Sequence, residues 1–528
     1  METPLLNTSG VHQLPESATC LSLSEDGQFL SVGHARGLSL WSAASFVSVA
    51  EWSLEQIEMT SVQMNKLAED TYLLGTIDDM GVARILISQS EIIHLISVIN
   101  IMENINNRSI CISFQLCQGG DYAVASMCCN GAVWLEVFHF PTESWLRELG
   151  AALSQPQDSN SSTVSEVQWS PVAMINKIKP LHVSNTISES LSQFDSHYLV
   201  LDGEWTPGTC TVHFLLPLSG VKIKNTDLPN AVCLWWSGSK HLLQYSLQKA
   251  TKNKSEFQHL PGVLCPNANR IVCSAVSGCT RYIALGLSDN VVCVWDRNFG
   301  SPLSVFSDVD NAFSGIRFMD YCPASLEDSH SCSDNRLLLL LKCKSGAVYT
   351  LITAGRGREL RTLHLTERVN DSGDLPTVAA AVPFLQDLAL MIQRNGQMYL
   401  QDVINKTNVC SLILPPKHAI ASSCNPVFDL DRWHKTLLIQ GVKDPLSTED
   451  GHNQLYIFRF GECDIVKPYI ITSSDSTKTQ KACHFTTFKY LHDRTLSAQE
   501  RAKDVKKTWM QLQETSMTIK QRYPTNHF

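Results

Sequence analysis

Residues 271–296 read IVCSAVSGCTRYIALGLSDNVVCVWD, and this stretch indicates the fold of the whole chain. It contains three short apolar runs, which are separated by polar turn signals at 277–278 and 288–290. Runs of this length, rich in β-branched and aromatic residues and bounded by Gly, Ser, Asp and Asn, are typical of antiparallel strands. The stretch therefore predicts one small sheet made of consecutive strands.

The same order of strand, turn, strand, turn and aromatic strand recurs along the chain. Further copies are centred on residues 20–41, 61–85, 110–134, 167–214, 233–245, 345–349, 395–399 and 454–458. Their spacing is close to the ~40–50 residues of propeller repeats. A blade is covered on both faces by its neighbours, so its inner strands are nearly continuous in apolar residues. Leu337–Leu341 fits such an inner strand.

Trp295-Asp296 ends the third run of the first-quoted stretch, and Asp289 precedes Trp295 by six residues. This stretch resembles a blade of the WD-repeat β-propellers, which end in the same dipeptide and carry an aspartate in the turn between their second and third strands. The resemblance implies that Asp289 helps to close a hydrogen-bonded network with a Ser or Thr, a His and the Trp.

Trp41 and Trp134 occupy the equivalent tryptophan position in two other copies. In the turns of these two copies, Ala35 and Cys128 occupy the position of the aspartate, six residues before the tryptophan. For these copies the resemblance implies the blade architecture, which depends on strand alternation and packing between neighbours, rather than the complete network.

We therefore expect an all-β, WD40-like β-propeller of about seven to nine blade units over residues 1–465. One wide ring and two smaller propellers both fit this count, because periodicity cannot separate them. A connecting segment should cover residues 466–493, and a basic amphipathic helix with a tail should cover 494–528.

The C-terminal helix is predicted over residues 498–513, behind the capping-box pattern Ser497-Ala498-Gln499-Glu500. Val505, Trp509 and Leu512 form an apolar stripe at helical spacing, and basic side chains flank it. Two interpretations remain open. The helix either packs on the propeller or lies solvated, or it binds a partner through this stripe.

Composition narrows the classes of function and the compartment. The chain has 42 Lys and Arg against 51 Asp and Glu, so a nucleic acid backbone has no overall attraction for it. Its 18 cysteines include no Cys-x-x-Cys pair and are typical of buried thiols in a reducing compartment. No apolar run approaches the ~20 residues of a membrane span, and the first residues resemble neither a signal peptide nor a mitochondrial presequence. We expect a cytoplasmic protein.

No motif predicts catalysis, a metal site, a cofactor or a small-molecule substrate. Gly355-Arg356-Gly357-Arg358 lacks the following helix of a phosphate-binding loop, so a surface turn is favoured. Arg356, Arg358 and Arg361 are nevertheless candidates for contact with an acidic partner. Trp235 and Trp236 are adjacent, so we expect one in the core and the other at most in a surface contact.

The resemblance implies a non-catalytic scaffold for protein–protein interaction inside a multisubunit assembly. The divergent tryptophan-bearing repeats and the C-terminal basic helix resemble an animal branch of the WD-repeat family, which implies a ciliary or axonemal setting. The alternative is an accessory component of mitochondrial electron transport. The N-terminal sequence and the absence of iron–sulfur ligand spacing argue against that alternative.

Overall fold

The computed structural model describes residues 3–471, except for 16, 55–56, 90, 101–107, 154–166, 181–208, 218–227, 248–261, 308–311, 320–335, 355–360, 367–371 and 444–452. Within these residues, 34 strands form eight separate sheets that follow one another along the chain. Consecutive strands inside each sheet run antiparallel, as the turn signals predict. We call these sheets blades 1 to 8.

The first four blades lie in the N-terminal half. Blade 1 comprises β3 (Cys20–Leu23), β4 (Phe29–His34), β5 (Gly37–Ser42) and β6 (Ser48–Ser53). Blade 2 comprises β7 (Met59–Ala68), β8 (Thr71–Asp78), β9 (Ala83–Gln89) and β10 (Ile92–Val98). Blade 3 comprises β11 (Ile110–Leu116), β12 (Tyr122–Cys129), β13 (Ala132–His139) and β14 (Ala173–Ile178). Blade 4 comprises β15 (Cys210–Leu215), β16 (Ala231–Trp236), β17 (His241–Ser246) and β18 (Gly262–Pro266).

Three further blades continue the pattern. Blade 5 comprises β19 (Ile271–Val276), β20 (Tyr282–Leu287), β21 (Val291–Asp296) and β22 (Ser301–Ser307). Blade 6 comprises β23 (Phe313–Phe318), β24 (Arg336–Cys343), β25 (Val348–Ala354) and β26 (Arg361–Thr366). Blade 7 comprises β27 (Pro376–Ala381), β28 (Leu388–Gln393), β29 (Met398–Asp402) and β30 (Thr407–Ile413).

Blade 8 is completed by the N-terminus. Its first strand is split into β31 (His418–Ile420) and β32 (Phe428–Asp431), which both pair with β33 (Thr436–Lys443). β34 (Asn453–Arg459) follows, and the outermost strand is β2 (Gly10–Gln13). β1 (Leu5–Asn7) adds a fifth, parallel strand to blade 7 beside β30. The first residues of the chain therefore supply the outermost strands of its last two blades.

Eight apolar clusters join each blade to the next. One of them joins blade 8 to blade 1, where Leu438 and Ile457 pack with Leu30 and Val32, and each of the four is at most 1% exposed. The other seven clusters lie between consecutive blades in the same way. The blades therefore form one ring of eight, which confirms the predicted propeller and decides between one ring and two.

The predicted repeat boundaries are wrong in the middle of the chain. The copies at 167–214 and 233–245 were expected to be separate units. In the structure, Cys210–Leu215 pairs with Ala231–Trp236 inside blade 4, while Ala173–Ile178 is the last strand of blade 3. The long connections around these strands conceal the period, and merging the two copies reduces nine candidates to eight blades.

Helices are few among the described residues. α1 (Thr142–Leu153) lies between the third and fourth strands of blade 3 and was not expected. Its Trp145 is fully buried and donates from Nε1 to the Ser170 carbonyl at 2.8 Å. Short 3-10 turns cover Ser372–Asp374, Phe460–Glu462 and Lys467–Tyr469. Among the described helices, none is long and apolar enough to cross a membrane. The helix predicted at 498–513 lies outside the described residues, and the predicted boundaries at 466 and 494 stay predictions.

Antiparallel strands give the ring two distinct faces. The bottom face carries the turns that join first to second and third to fourth strands in each blade. The top face carries the turns between second and third strands and the connections to the next blade. The first strands of adjacent blades contact each other, as β3 contacts β7 and β19 contacts β23, so these strands line the centre of the ring.

We predict that deleting residues 1–13 destabilises the ring. Without β1 and β2, the edge of β34 loses its hydrogen-bonded neighbour, and a few backbone bonds at about 1 kcal/mol each give a loss of about 3 kcal/mol. Urea unfolding measures the free energy, and size-exclusion chromatography detects association through the open edge. Deletion of residues 1–3, which precede Pro4 and both strands, is the control. Equal unfolding midpoints for the two deletions would contradict the prediction.

Candidate functional site

The WD signature in blade 5 lies where the sequence predicts it, but its polar groups are connected differently. Trp295 is 5% exposed and packs in the cluster between blades 4 and 5. Its Nε1 has no hydrogen-bond partner among the described residues. Asp289 instead accepts a hydrogen bond from the side-chain amide of Asn269. The network that the resemblance implies therefore does not join Asp289 to Trp295.

Asp296, the second member of the signature, orders the bottom turn after β21. Its carboxylate is 3% exposed and accepts from the backbone N–H of Asn298 at 2.9 Å. The Arg281 guanidinium pairs with it, with an Nη2 to Oδ2 distance of 2.9 Å. A hydrogen-bonded and paired carboxylate is tolerated at this depth. Asp296 therefore has a structural part in the blade.

Trp41 and Trp134 each donate to a side chain two positions away on the same strand. Trp41 Nε1 donates to Ser39 Oγ at 2.8 Å, and Trp134 Nε1 donates to Glu136 Oε1 at 2.7 Å. Lys177 on the outer strand of blade 3 lies 3.1 Å from that Glu136 oxygen and 4.3 Å from the Trp134 ring centre. Residues at i and i+2 of a strand share a face, which explains why both pairs form locally.

A polar network that sequence reasoning missed connects blades 4 and 5. Trp235 Nε1 donates to Ser274 Oγ at 2.8 Å, and the same hydroxyl lies 2.8 Å from His213 Nε2. Burial lowers the pKa of His213 to about 4, so the ring is neutral at pH 7. A neutral Nε2 can accept the hydroxyl proton, since Ser274 already accepts from the indole. The network satisfies one buried and two partly buried side chains across one seam.

The adjacent tryptophans differ from the prediction. Trp235 is 7% exposed and Trp236 is 6% exposed, and they belong to different clusters. Trp235 faces blade 5 and Trp236 faces blade 3. Both are core residues, because the blade has a neighbour on each side, so the expectation that one of the two makes at most a surface contact is wrong.

Asp402 in blade 7 repeats the role of Asp296 and was also missed. It is 2% exposed and accepts from the backbone N–H groups of Ile404 and Asn405 at 2.9 and 2.8 Å. Asn405 Nδ2 donates to its other oxygen at 2.8 Å. The sequence does indicate this aspartate. Gln401-Asp402 ends a third strand as Trp295-Asp296 does, with glutamine in place of the tryptophan.

The predicted partner-binding residues lie almost entirely outside the described part of the chain. Arg356 and Arg358 lie outside the described residues. Arg361 begins β26, where its backbone pairs with Ile352, and its side chain is not described. Val505, Trp509 and Leu512 also lie outside the described residues. Their role in binding a partner stays a prediction.

Two buried thiols at the seams of blades 4 and 5, Cys233 and Cys293, are held in their protonated form. Burial raises the pKa of Cys233 and of Cys293 to about 12. The thiolate is the form that attacks electrophiles and binds metals, so these thiols are unreactive at neutral pH. In the part of the chain that the structure describes, no group of three or more His, Cys, Asp or Glu side chains is arranged to hold a metal ion.

Comparison with known protein families finds one whose model matches this chain. The model of the family described as WD repeat-containing protein 93 matches residues 18–203 and 196–292, which together span just over half of the chain.

Several solved structures resemble the ring at low identity. The computationally designed Ika8 protein is 12% identical with a TM-score of 0.46, covering 87% of this chain and 100% of that one. Sqt1 of Saccharomyces cerevisiae is 9% identical with a TM-score of 0.47, covering 87% and 99%. Sqt1 of Chaetomium thermophilum, solved bound to the N-terminus of the ribosomal protein L10, is 10% identical with a TM-score of 0.48, covering 86% and 100%.

We predict that Ser274→Ala destabilises the fold by about 1–3 kcal/mol. The substitution leaves Trp235 Nε1, on a buried side chain, and His213 Nε2, on a partly buried one, without their shared partner, and an unsatisfied buried group costs that much. Ser304→Ala is the matched control in the same blade, because its buried Oγ has no hydrogen-bond partner in the described structure. Urea unfolding compares them. If Ser274→Ala lowers the free energy of unfolding no more than Ser304→Ala does, the network does not stabilise the fold.

We predict that His213 makes stability fall in mild acid. The pKa of His213 drops from an ordinary 6.5 to about 4 on folding, because burial disfavours the charged ring. The unfolded chain therefore binds a proton first, and stability falls from pH 6.5 down to pH 4 and then levels out, by about 3 kcal/mol in all. Unfolding free energies of the parent and His213→Gln at pH 7, 5.5 and 4.5 measure this. Parallel profiles for the two proteins would contradict it.

Proposed function

The chain belongs to the WD repeat-containing protein 93 family, and from this premise we propose that it is a non-catalytic scaffold for protein–protein interaction within a multisubunit assembly. WD-repeat propellers typically serve as interaction scaffolds. We further propose a cytoplasmic location, in the ciliary or axonemal assemblies of the cell.

The closed ring is the observation that carries this proposal. All eight seams are filled with apolar side chains, including the one between the last blade and the first. The sheets use their faces to bind one another, so the turns of the top and bottom faces and the channel remain for other molecules. A rigid frame that presents many turns suits the binding of proteins, because little conformational freedom is lost on association.

The described polar clusters favour a structural use over a catalytic one. Asp296 and Asp402 order turns, and the hydroxyl of Ser274 is used by Trp235 and His213 within one seam. A serine nucleophile needs a base that is itself oriented by a third group and an oxyanion site. His213 has Ser274 as its described polar contact, and burial holds its pKa far below neutrality, which makes it a poor base.

We predict that the protein, tagged at its own locus in ciliated cells, co-purifies with axonemal subunits and elutes well above the size of a 58.7 kDa monomer. Affinity purification and quantitative mass spectrometry identify the partners. The comparison is the variant lacking residues 1–13, whose destabilised ring should retain fewer of the partners that bind the propeller. Recovery of respiratory-chain subunits, or a monomeric protein with no reproducible partner, would contradict the proposal.

A second arm tests the predicted basic contact. Charge reversal at Arg356, Arg358 and Arg361 should weaken the binding of any partner that contacts them through acidic side chains. The ring should stay folded. Retention of every partner by this variant would remove these three residues from the interaction surface and leave the scaffold proposal intact.

A further inference from the structure

An exposed tryptophan stands on the bottom face at the seam between blades 8 and 1. Trp433 lies in the turn after β32 and is 65% exposed. Its Nε1 donates to the Glu25 carbonyl at 2.5 Å, and its backbone N–H donates to Asp431 Oδ1 at 2.9 Å. The indole of Trp433 is therefore held in place by its N–H group, while much of its surface faces solvent. An immobilised aromatic side chain of this kind is typical of an interaction anchor.

Packing around Gly27 brings the turn of blade 1 directly against this tryptophan. Gly27 has φ +68°, and a Cβ there would lie 2.8 Å from Asp431 Oδ1 and 3.2 Å from Trp433 Cβ. Only glycine fits such a position without displacing its neighbours. Trp433 is therefore continuous with the bottom turn of blade 1.

That turn begins an acidic region of the bottom face. We call it the acidic sector: Glu25, Asp26, Glu69, Asp70, Glu91 and Asp121. It covers the first-to-second turns of blades 1 to 3 and the third-to-fourth turns of blades 1 and 2, and the described residues of those turns (24–28, 43–47, 69–70, 91 and 117–121) include no Lys, Arg or His. The third-to-fourth connection of blade 3 lies on the same face, and its described residues (140–153 and 167–172) carry Glu143 and Glu148 with one exposed cation, Arg147.

The acidic sector is held together by contacts between blades. Lys66 Nζ and Tyr72 OH of blade 2 both lie 2.8 Å from Asp26 Oδ2 of blade 1. Partial burial alone would raise the pKa of Asp26, but hydrogen bonds from Lys66, Ser24 and Tyr72 lower it to about 2, so it is ionised. Lys66 is committed to Asp26, and the carboxylates of Glu69 and Asp70 remain exposed.

The described chain ends on the same face. After β34, residues 460–471 run beneath blade 7, where Gln386 N donates to the Tyr469 carbonyl at 2.7 Å and Ile471 N donates to the Phe384 carbonyl at 3.2 Å. Blade 7 adjoins blade 8, which carries Trp433. The 57 residues beyond 471 therefore start one blade away from the tryptophan.

Charge divides sharply at this point. Residues 472–528 contain ten Lys and Arg against five Asp and Glu, whereas residues 1–471 contain 32 against 46. A basic C-terminal segment is thus joined to an acidic ring. The 26 residues between 471 and 498 can span about 90 Å when extended, while four strands of a blade span only about 15 Å. The chain is long enough to reach any part of the bottom face.

We propose that residues 498–513 dock on the bottom face of their own propeller. Arg501, Lys503, Lys506 and Lys507 lie against the acidic sector, and the apolar stripe of Val505, Trp509 and Leu512 covers Trp433. The contact holds within one chain and stands whether or not the ring binds other proteins.

Carbodiimide cross-linking of the full chain tests the contact, because it joins amines and carboxylates only when they touch. Peptide mass spectrometry should find Lys503, Lys506 and Lys507 joined to Glu25, Glu69 or Asp70. Mixing isotopically light and heavy protein separates links within a chain from links between chains. About 1 M salt, with a screening length near 3 Å, should remove the links.

Matched variants decide the outcome. A photoreactive leucine analogue at Leu512 reports the contact in variants that lack these lysines. Lys503→Glu, Lys506→Glu and Lys507→Glu together should lower its links to peptides that contain Trp433 by about tenfold. The control, Lys478→Glu, Lys481→Glu and Lys489→Glu, should leave them unchanged. Adding Glu69→Lys and Asp70→Lys to the first triple variant should restore them. Trp433→Ala should lower them while the ring stays folded, with a loss of stability no larger than the about 1 kcal/mol of the lost hydrogen bond to the Glu25 carbonyl.

Three results would overturn the proposal. They are links from Lys503, Lys506 and Lys507 spread evenly over the carboxylates of all blades, links found only between chains, and equal losses in the two triple-lysine variants. None of these results bears on whether the ring recruits axonemal proteins, so the two proposals can fail separately.

Discussion

Water is excluded from both faces of each blade only because another blade lies against each face. Leu339 and Leu341 face one neighbour and Leu338 and Leu340 face the other, so a single strand of blade 6 serves two clusters. A linear row of blades would leave two apolar faces in water at its ends. Closure removes both ends at once, and the stability of every blade therefore depends on the seam between the eighth and the first.

This constraint explains how far the sequence predicts the fold. The apolar runs and turn signals of 271–296 predict blade 5, and Leu337–Leu341 predicts an inner strand, because each property is local. The number of blades is not local. Cys210–Leu215 and Ala231–Trp236 are separated by a long connection, and only their pairing shows that they form one blade.

The candidate site was less predictable, because its contacts join distant residues. Trp295 and Asp289 carry the family pattern, yet the satisfied indole of this seam is that of Trp235, which bonds across the seam to Ser274. His213 and Ser274 are 61 positions apart, and no spacing rule connects them. Asp402 could have been found, since it follows a third strand as Asp296 does. Both faces of an inner strand are buried against neighbouring blades, so alternation along the strand does not bring either Trp235 or Trp236 to the surface.

The position of β1 and β2 has a consequence for biosynthesis. Leu5 pairs with Ser411, and Gly10 pairs with Ile457, so the first strands to leave the ribosome wait for partners that are made more than 400 residues later. At about 5–20 residues per second this delay is roughly 20 to 90 seconds. Blades 1 to 6 can form during translation, but the ring can close only after β34 has been made, and the nascent N-terminus has to be kept from other strands until then.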